Sequence, residues 1–147
     1  MIDVLIVDDL KAVRLMMKDI LSSEPGVRVA GMADSAEEAL RLVHELEPGL
    51  VVLGTHIQKT SGYDVAARIM EDSPRPIILA ADPSVNLKDA AWRASACGVL
   101  DVVDKSELYH WRTRPEAARR FLRKFRTLSR FRGEGQPRKR PPAVAGP

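Results

Sequence analysis

The sequence predicts an α/β protein with a five-stranded parallel sheet and helices on both of its faces. Short apolar runs alternate with longer amphipathic segments along most of the chain, and this alternation is typical of parallel strands connected by helices. Breaker residues such as Pro25-Gly26 and Pro48-Gly49 separate these segments. A length of 147 residues is sufficient for one domain with a single core.

The elements are predicted in order from these runs. Five apolar runs are expected to form strands: Asp3–Val7, Val27–Gly31, Leu50–Leu53, Pro76–Ala80 and Val99–Val103. The amphipathic segments predict helices over residues 10–23, 35–46, 62–72, 84–97 and 114–130. Ser35 and Glu38 have the spacing of a capping box, and Gly98 lies where a helix-ending glycine is expected.

Composition is that of a soluble globular protein, with 45% apolar and 29% charged residues. No apolar run approaches the roughly 20 residues that cross a bilayer. The first strand begins almost at Met1, which leaves no room for a signal peptide. We therefore expect a cytoplasmic protein without a transmembrane segment.

Charge is distributed unevenly along the chain. Residues 1–111 carry 11 basic and 18 acidic side chains, whereas residues 112–147 carry 12 basic and 2 acidic ones. Such asymmetry often marks an interaction segment. From residue 133 onward, Gly, Pro and basic residues follow without apolar periodicity. We predict a domain over residues 1–132 and a disordered basic tail over residues 133–147.

Three motifs occur in an order that is known from one protein family. The first strand ends in Asp8-Asp9, Gly62 lies eight residues after Gly54, and the last strand segment runs from Gly98 to Lys105. The chain resembles the CheY-like receiver domain of bacterial response regulators, particularly the receivers of chemotaxis methylesterases. The resemblance extends to about residue 106 and implies a flavodoxin-like fold.

Several positions depart from what this resemblance implies. The position of Gly54 holds the phosphorylated aspartate in receivers, Ala81 replaces a threonine or serine that contacts the phosphoryl group, and Val102 replaces an aromatic residue. The lysine that contacts the phosphoryl oxygens has its match in Lys105. We therefore expect a pseudo-receiver that keeps the receiver frame without the phospho-acceptor.

Asp9 has two interpretations. In receivers, the second aspartate of the pair binds magnesium together with the phosphorylatable aspartate and a backbone carbonyl two residues beyond it. Asp9 and the carbonyl of His56 would remain here, so we expect at most a weak magnesium site and no other cofactor. Alternatively, Asp9 caps the first helix, since aspartate is a good N-cap.

Lys105 is expected to form a salt bridge to Asp8 or Asp9, because an opposite charge would relieve the repulsion between these carboxylates. Thr55 and Asp82 are conceivable substitutes for the missing acceptor, but a hydroxyl forms no acyl phosphate. We expect neither to be phosphorylated.

Enzymatic activity is not expected. The three histidines, His44, His56 and His110, lack metal-ligand spacing, and no Ser-His-Asp or Cys-His arrangement is indicated. We also expect no separate esterase domain in the remaining residues.

The last helix has two stripes. Its apolar stripe is predicted to pack on the sheet and consists of Ala117, Phe121, Phe125 and Leu128. Its basic stripe consists of Arg119, Arg123, Arg126 and Arg130. Arginine binds phosphates and carboxylates, so the targets are an acidic protein surface, a nucleotide or nucleic acid, or an anionic membrane. A solvated helix face without a target is the remaining interpretation.

Trp92 and Trp111 lie on elements that receivers commonly use to contact partners, and aromatic residues are frequent in binding hot spots. Ordinary packing of the last helix would also explain Trp111.

The leading function is a phosphorylation-independent regulator that binds signalling proteins in a two-component or chemotaxis-like pathway. The alternative is a receiver-like effector whose basic helix binds a cyclic dinucleotide or nucleic acid.

Overall fold

A parallel sheet of five strands forms the centre of the molecule. The computed structural model describes residues 1–83 and 86–133, with side chains as far as residue 127. The strands are β1 (Ile2–Val7), β2 (Val27–Ala33), β3 (Leu50–Gly54), β4 (His56–Ile57), β5 (Thr60–Ser61), β6 (Ile77–Ala81) and β7 (Asp101–Asp104). The order in the main sheet is β2-β1-β3-β6-β7, and β4 and β5 form a separate hairpin.

Helices cover both faces of this sheet. They are α1 (Lys11–Ser22), α2 (Ala36–Leu46), α3 (Gly62–Asp72), α4 (Leu87–Ala96) and α5 (Glu116–Gly133). Buried residues of α1 and α5 share one hydrophobic cluster, and those of α2, α3 and α4 share the other. This arrangement confirms the predicted fold class.

The central strand β3 explains how one sequence supplies both clusters. All five of its residues are buried, and successive side chains of a strand point to opposite faces. Leu50 and Val52 accordingly join the cluster of α1 and α5, whereas Val51 and Leu53 join the other one. A continuous apolar run is therefore required here rather than an alternating one.

Local capping chemistry sets two of the element boundaries. The Ser35 hydroxyl accepts a hydrogen bond from the Glu38 amide at 3.1 Å, as the capping box predicts. Gly98 has φ of +84° and follows the end of α4. The Val99 amide donates to the Ala94 carbonyl, as in a Schellman-type helix end. For this reason β7 begins at Asp101, two residues later than predicted.

The hairpin of β4 and β5 was not predicted, because two-residue strands carry no periodicity. It returns the chain toward β3, where the Gly62 amide donates to the Thr55 carbonyl at 2.8 Å. A Cβ atom on Gly62 would lie 2.0 Å from the Gly54 carbonyl oxygen. Only glycine fits at this position.

The apolar stripe of α5 packs on the sheet. Phe121 and Phe125 are buried and form an edge-to-face pair with centroids 5.0 Å apart. Ala117 is half-buried, and the side chain of Leu128 lies outside the described residues. The predicted domain end at residue 132 falls within α5, which extends to Gly133. Apart from Gly133, the predicted tail over 133–147 also lies outside them.

No helix in the described ranges, 1–83 and 86–133, is long and apolar enough to cross a membrane.

Replacing Phe125 by alanine should destabilise the protein by about 3–5 kcal/mol, because a fully buried aromatic ring is lost and a cavity is left. Urea denaturation measures the free energy of unfolding. Arg123→Ala on the exposed side of the same helix is the matched control, and it should stay within about 0.5 kcal/mol of the wild type. Equal stability of the two variants would contradict the packing described for α5.

Candidate functional site

Four polar residues meet at the carboxyl edge of the sheet. Asp8, Thr55, Asp82 and Lys105 each directly follow one of the strands β1, β3, β6 and β7. These four strands are consecutive neighbours in the sheet. Because parallel strands end at the same edge of a sheet, the residues that follow these strands lie close together there. This edge is the usual place for a ligand site in such folds.

Lys105 is the centre of this group. Its side chain is 1% exposed, and its Nζ lies 2.6 Å from Asp8 Oδ2 and 2.7 Å from Asp82 Oδ1. Asp8 is one of the two carboxylates considered for this salt bridge. The second partner is Asp82 rather than Asp9. Two short charge-assisted hydrogen bonds therefore hold a buried ammonium.

Burial and hydrogen bonding act in opposite directions on the titratable groups. Burial alone would lower the pKa of Lys105, but its hydrogen bonds to Asp8 and Asp82 raise that pKa above the ordinary value. For Asp82, burial favours a higher pKa, whereas hydrogen bonds from Lys105 and Thr55 bring the pKa below its ordinary value of 3.8. Both shifts favour the charged forms of the pair.

The second carboxylate oxygen of Asp82 is also engaged. The buried Thr55 hydroxyl donates to Asp82 Oδ2 at 2.8 Å, and Nδ1 of the exposed His56 lies 3.2 Å from the same atom. The Asp82 amide donates to Thr55 Oγ1 at 3.3 Å. The end of β6 is thereby attached to the end of β3.

Asp8 and Asp9 have different surroundings. Asp8 Oδ1 accepts a hydrogen bond from the Leu10 amide at 3.0 Å, and Asp9 Oδ2 accepts one from the Gln58 amide at 2.7 Å. The N-cap of α1 is Leu10, without a side-chain cap. The prediction that Asp9 caps the first helix is therefore wrong, because its carboxylate turns toward the β4–β5 hairpin instead.

Gly54 leaves a space that Asp8 occupies. A Cβ atom built on Gly54 would lie 2.8 Å from Asp8 Oδ2, which is the oxygen bound to Lys105. Ala81 ends β6 and is fully buried. Val102 is half-buried and packs against the cluster of α2 and α3.

Comparison with known proteins identifies the family. The response regulator receiver domain family matches residues 4–109. The chain belongs to this family. A protein-glutamate methylesterase/protein-glutamine glutaminase of Syntrophus aciditrophicus is 38% identical over 109 residues, covering 74% of this chain and 31% of that protein. A homologous protein of Anaeromyxobacter dehalogenans is 34% identical over 105 residues, or 71% of this chain and 30% of its own length.

A solved structure supports the same assignment. The response regulator domain of Thermotoga maritima CheB is 26% identical, with a TM-score of 0.77 over 88% of this chain and 96% of that domain. The chain spans about a third of the length of the curated relatives described above. The similarity therefore concerns their receiver part.

Three of the four carboxylate oxygens of Asp8 and Asp9 accept hydrogen bonds within this receiver. Position 54 offers no side-chain oxygen, Asp8 Oδ2 is bound to Lys105, and Asp9 Oδ2 is bound to the Gln58 amide. Magnesium requires near-octahedral oxygen coordination. Within residues 1–83 and 86–133, no group of three or more His, Cys, Asp or Glu side chains is arranged to hold a metal.

The tryptophans of the receiver lie on separate surfaces. Trp92 on α4 is 74% exposed. Trp111 is half-buried beneath the Arg112 guanidinium, which lies 4.7 Å from its ring centroid. Trp111 lines a groove between α1 and residues 109–113, and Trp92 is not part of this groove. The two residues were predicted as partner contacts, and the fold does not bring them into one patch.

The basic stripe of α5 is partly neutralised. Arg126 pairs with Glu24 at 2.8 Å, whereas Arg119 and Arg123 are exposed and have no ion pair with any described residue. The Arg130 side chain lies outside the described residues. Two neighbouring cations are also paired, Arg120 with Glu107 at 3.8 Å and Lys124 with Asp101 at 2.6 Å.

Sequence reasoning missed Asp82 and Thr55 as partners of Lys105. A signal was present in the sequence, because Thr55 and Asp82 each directly follow an apolar run that forms a strand. These two strands lie between the strands that precede Asp8 and Lys105. Their polar character at strand ends, rather than any family motif, marks them as members of the site.

Acid should destabilise the wild type partly through Asp82. Since its pKa is lowered in the folded state, the ionised carboxylate stabilises the protein above about pH 4, and this contribution is lost as the pH falls through the folded-state pKa. Asp82→Asn removes this titration. We expect its free energy of unfolding to change less than that of the wild type between pH 6 and pH 3, by urea denaturation. Glu71→Gln on the surface of α3 retains Asp82 and should follow the wild type.

Proposed function

We propose that this chain is a pseudo-receiver: a response regulator that is not phosphorylated and acts through phosphorylation-independent contacts with signalling proteins. The observation that carries this proposal is Gly54 at the acceptor position, with Asp8 Oδ2 only 2.8 Å from where a Cβ would lie. The phosphoryl site therefore lacks the acceptor carboxylate, and a side chain at position 54 would require Asp8 to shift. The relatives named above suggest a chemotaxis-like or other two-component pathway.

The proposed contact surface lies around α4, β7 and α5. A cavity of about 420 Å³ lies between these elements, with Val103 and Phe121 among the residues that line it. Leu87, Trp92 and Leu100 are large exposed apolar side chains of the α4 region. Exposed aromatic and apolar groups flanked by charged side chains suit a protein partner.

The alternative function is binding of a cyclic dinucleotide or nucleic acid through α5. It is favoured by the exposed guanidinium groups of Arg119 and Arg123, which lack ion pairs among the described residues. It is weakened by the neighbouring cations Arg120, Lys124 and Arg126, whose charges are met by acidic side chains of the same molecule. A protein partner is therefore preferred.

Incubation with acetyl phosphate and magnesium should add no phosphoryl group to the wild-type protein, since position 54 has no carboxylate. Intact-mass spectrometry without acid treatment checks this, with a receiver that has its acceptor aspartate as the reagent control. A stoichiometric, acid-labile phosphoryl group on this chain would overturn the proposal.

Partner capture should depend on the proposed surface. We expect Trp92→Ala and Arg119→Ala/Arg123→Ala each to fold normally, because exposed side chains contribute little to stability. Each should reduce capture of the main partner from the native host by about tenfold or more, which corresponds to about 1.4 kcal/mol. Arg41→Ala on the surface of α2 is the matched control.

The same variants separate the two candidate functions. Titrations with a fluorescent cyclic dinucleotide and with an oligonucleotide at low and high salt test the alternative, because binding to nucleic acid weakens steeply with salt. Salt-sensitive binding that is lost only in Arg119→Ala/Arg123→Ala would favour the alternative. Unchanged protein capture by both surface variants would contradict the proposed contact surface.

A further inference from the structure

In this chain a hydroxyl follows β3 and a carboxylate follows β6, which is the reverse of what the resemblance to receivers implies. At the two positions where receivers carry an acceptor aspartate and a threonine or serine, this chain has Gly54 and Ala81. One residue later on each strand, it has a hydroxyl, Thr55, and a carboxylate, Asp82. The hydroxyl now follows β3 and the carboxylate follows β6, and they bond to each other at 2.8 Å.

This arrangement provides Lys105 with a second carboxylate although position 54 has none. Asp82 Oδ1 lies 2.7 Å from the ammonium and Asp8 Oδ2 lies 2.6 Å from it. Both oxygens of Asp82 are engaged, since Thr55 donates to Oδ2. The Lys105 ammonium is therefore held between the carboxylates of Asp8 and Asp82.

We propose that Lys105 is the permanent counter-ion of this pocket, and that Asp82 keeps a divalent cation out by holding the ammonium on Asp8. A cation approaching Asp8 would meet the lysine charge at close range and would have to break a short charge-assisted bond. The buried charge of Asp8 is thus compensated internally by Lys105, without metal or phosphate. This inference rests on the proposed pseudo-receiver function and supplies its physical basis.

The network also fixes the beginning of the connection to α4. The Asp82 amide donates to Thr55 Oγ1, while its carboxylate is held by Lys105 at the end of β7. Three neighbouring strand ends are therefore tied together at the residue from which the chain leaves toward α4.

The first test removes the counter-ion. Lys105→Met leaves Asp8 and Asp82 facing each other without the ammonium, so a divalent cation should now stabilise the protein. We expect the melting temperature of Lys105→Met to rise with millimolar magnesium, whereas potassium chloride of equal ionic strength should have a smaller effect and the wild type should not respond. A variant that melts at the same temperature, or stays unfolded, with and without magnesium overturns the proposal.

The second test removes Asp82. Gly54→Asp restores a carboxylate, but the new Cβ meets Asp8 while Lys105 holds Asp8 in place. The double variant Gly54→Asp/Asp82→Ala frees the ammonium from its second partner. By isothermal titration calorimetry, we expect the double variant to bind magnesium at least about tenfold more tightly than Gly54→Asp alone.

A control of equal net charge completes this experiment. Gly54→Asp/Glu45→Ala removes an exposed carboxylate that pairs with Arg41 on α2, and it should bind magnesium no better than Gly54→Asp. Equal affinity of the two double variants would overturn the role of Asp82. A failure here is distinct from failure of the proposed function, which is decided by phosphoryl incorporation into the wild type and by partner capture. If a Gly54→Asp variant does not fold, the Lys105→Met measurement decides.

Discussion

The carboxyl edge of the sheet depends on the buried ammonium of Lys105, because this group alone joins the ends of β1, β6 and β7 through ionic contacts among the described residues. A buried charge is tolerated only when it is paired and hydrogen-bonded. Removing one partner of such a pair usually costs about 3–5 kcal/mol, since the other charge is left uncompensated. Lys105 at 1% exposure and Asp8 at 2% therefore constrain each other's identity.

The distribution of the charges explains why two carboxylates are compatible with one ammonium. Asp8 is almost completely buried, while the side chain of Asp82 is 25% exposed. The excess negative charge thus lies at the solvent side, where water can solvate it and where His56 Nδ1 lies 3.2 Å from Asp82 Oδ2. No buried side-chain nitrogen or oxygen among the described residues lacks a hydrogen-bond partner. The pocket is a complete network without any added ligand.

The fold was predictable because the sequence patterns that indicate its strands and helices extend over several residues. The continuous apolar runs of β1, β3 and β6 and the helical spacing of Phe121 and Phe125 each extend over several residues, so run length identifies the strands and periodicity identifies the helix. The site was only partly predictable, since its contacts depend on single side chains at strand ends. Asp9 is a statistically good N-cap, but the Gln58 amide, presented by a residue with φ of +58°, competes for its carboxylate. No local pattern indicates that competition.

Gly54 and the ion pair between Lys105 and Asp8 depend on each other. Asp8 Oδ2 can approach Lys105 to 2.6 Å in its present position because no side chain extends from Gly54, where a Cβ would lie 2.8 Å from that oxygen. Once Asp82 also binds the ammonium, a carboxylate at position 54 would find its cation already shared between two partners. Adding a carboxylate at position 54 while Asp82 remains would therefore leave a crowded pocket with three carboxylates around one ammonium. This coupling keeps the carboxyl edge of the receiver sheet paired through Asp8, Lys105 and Asp82.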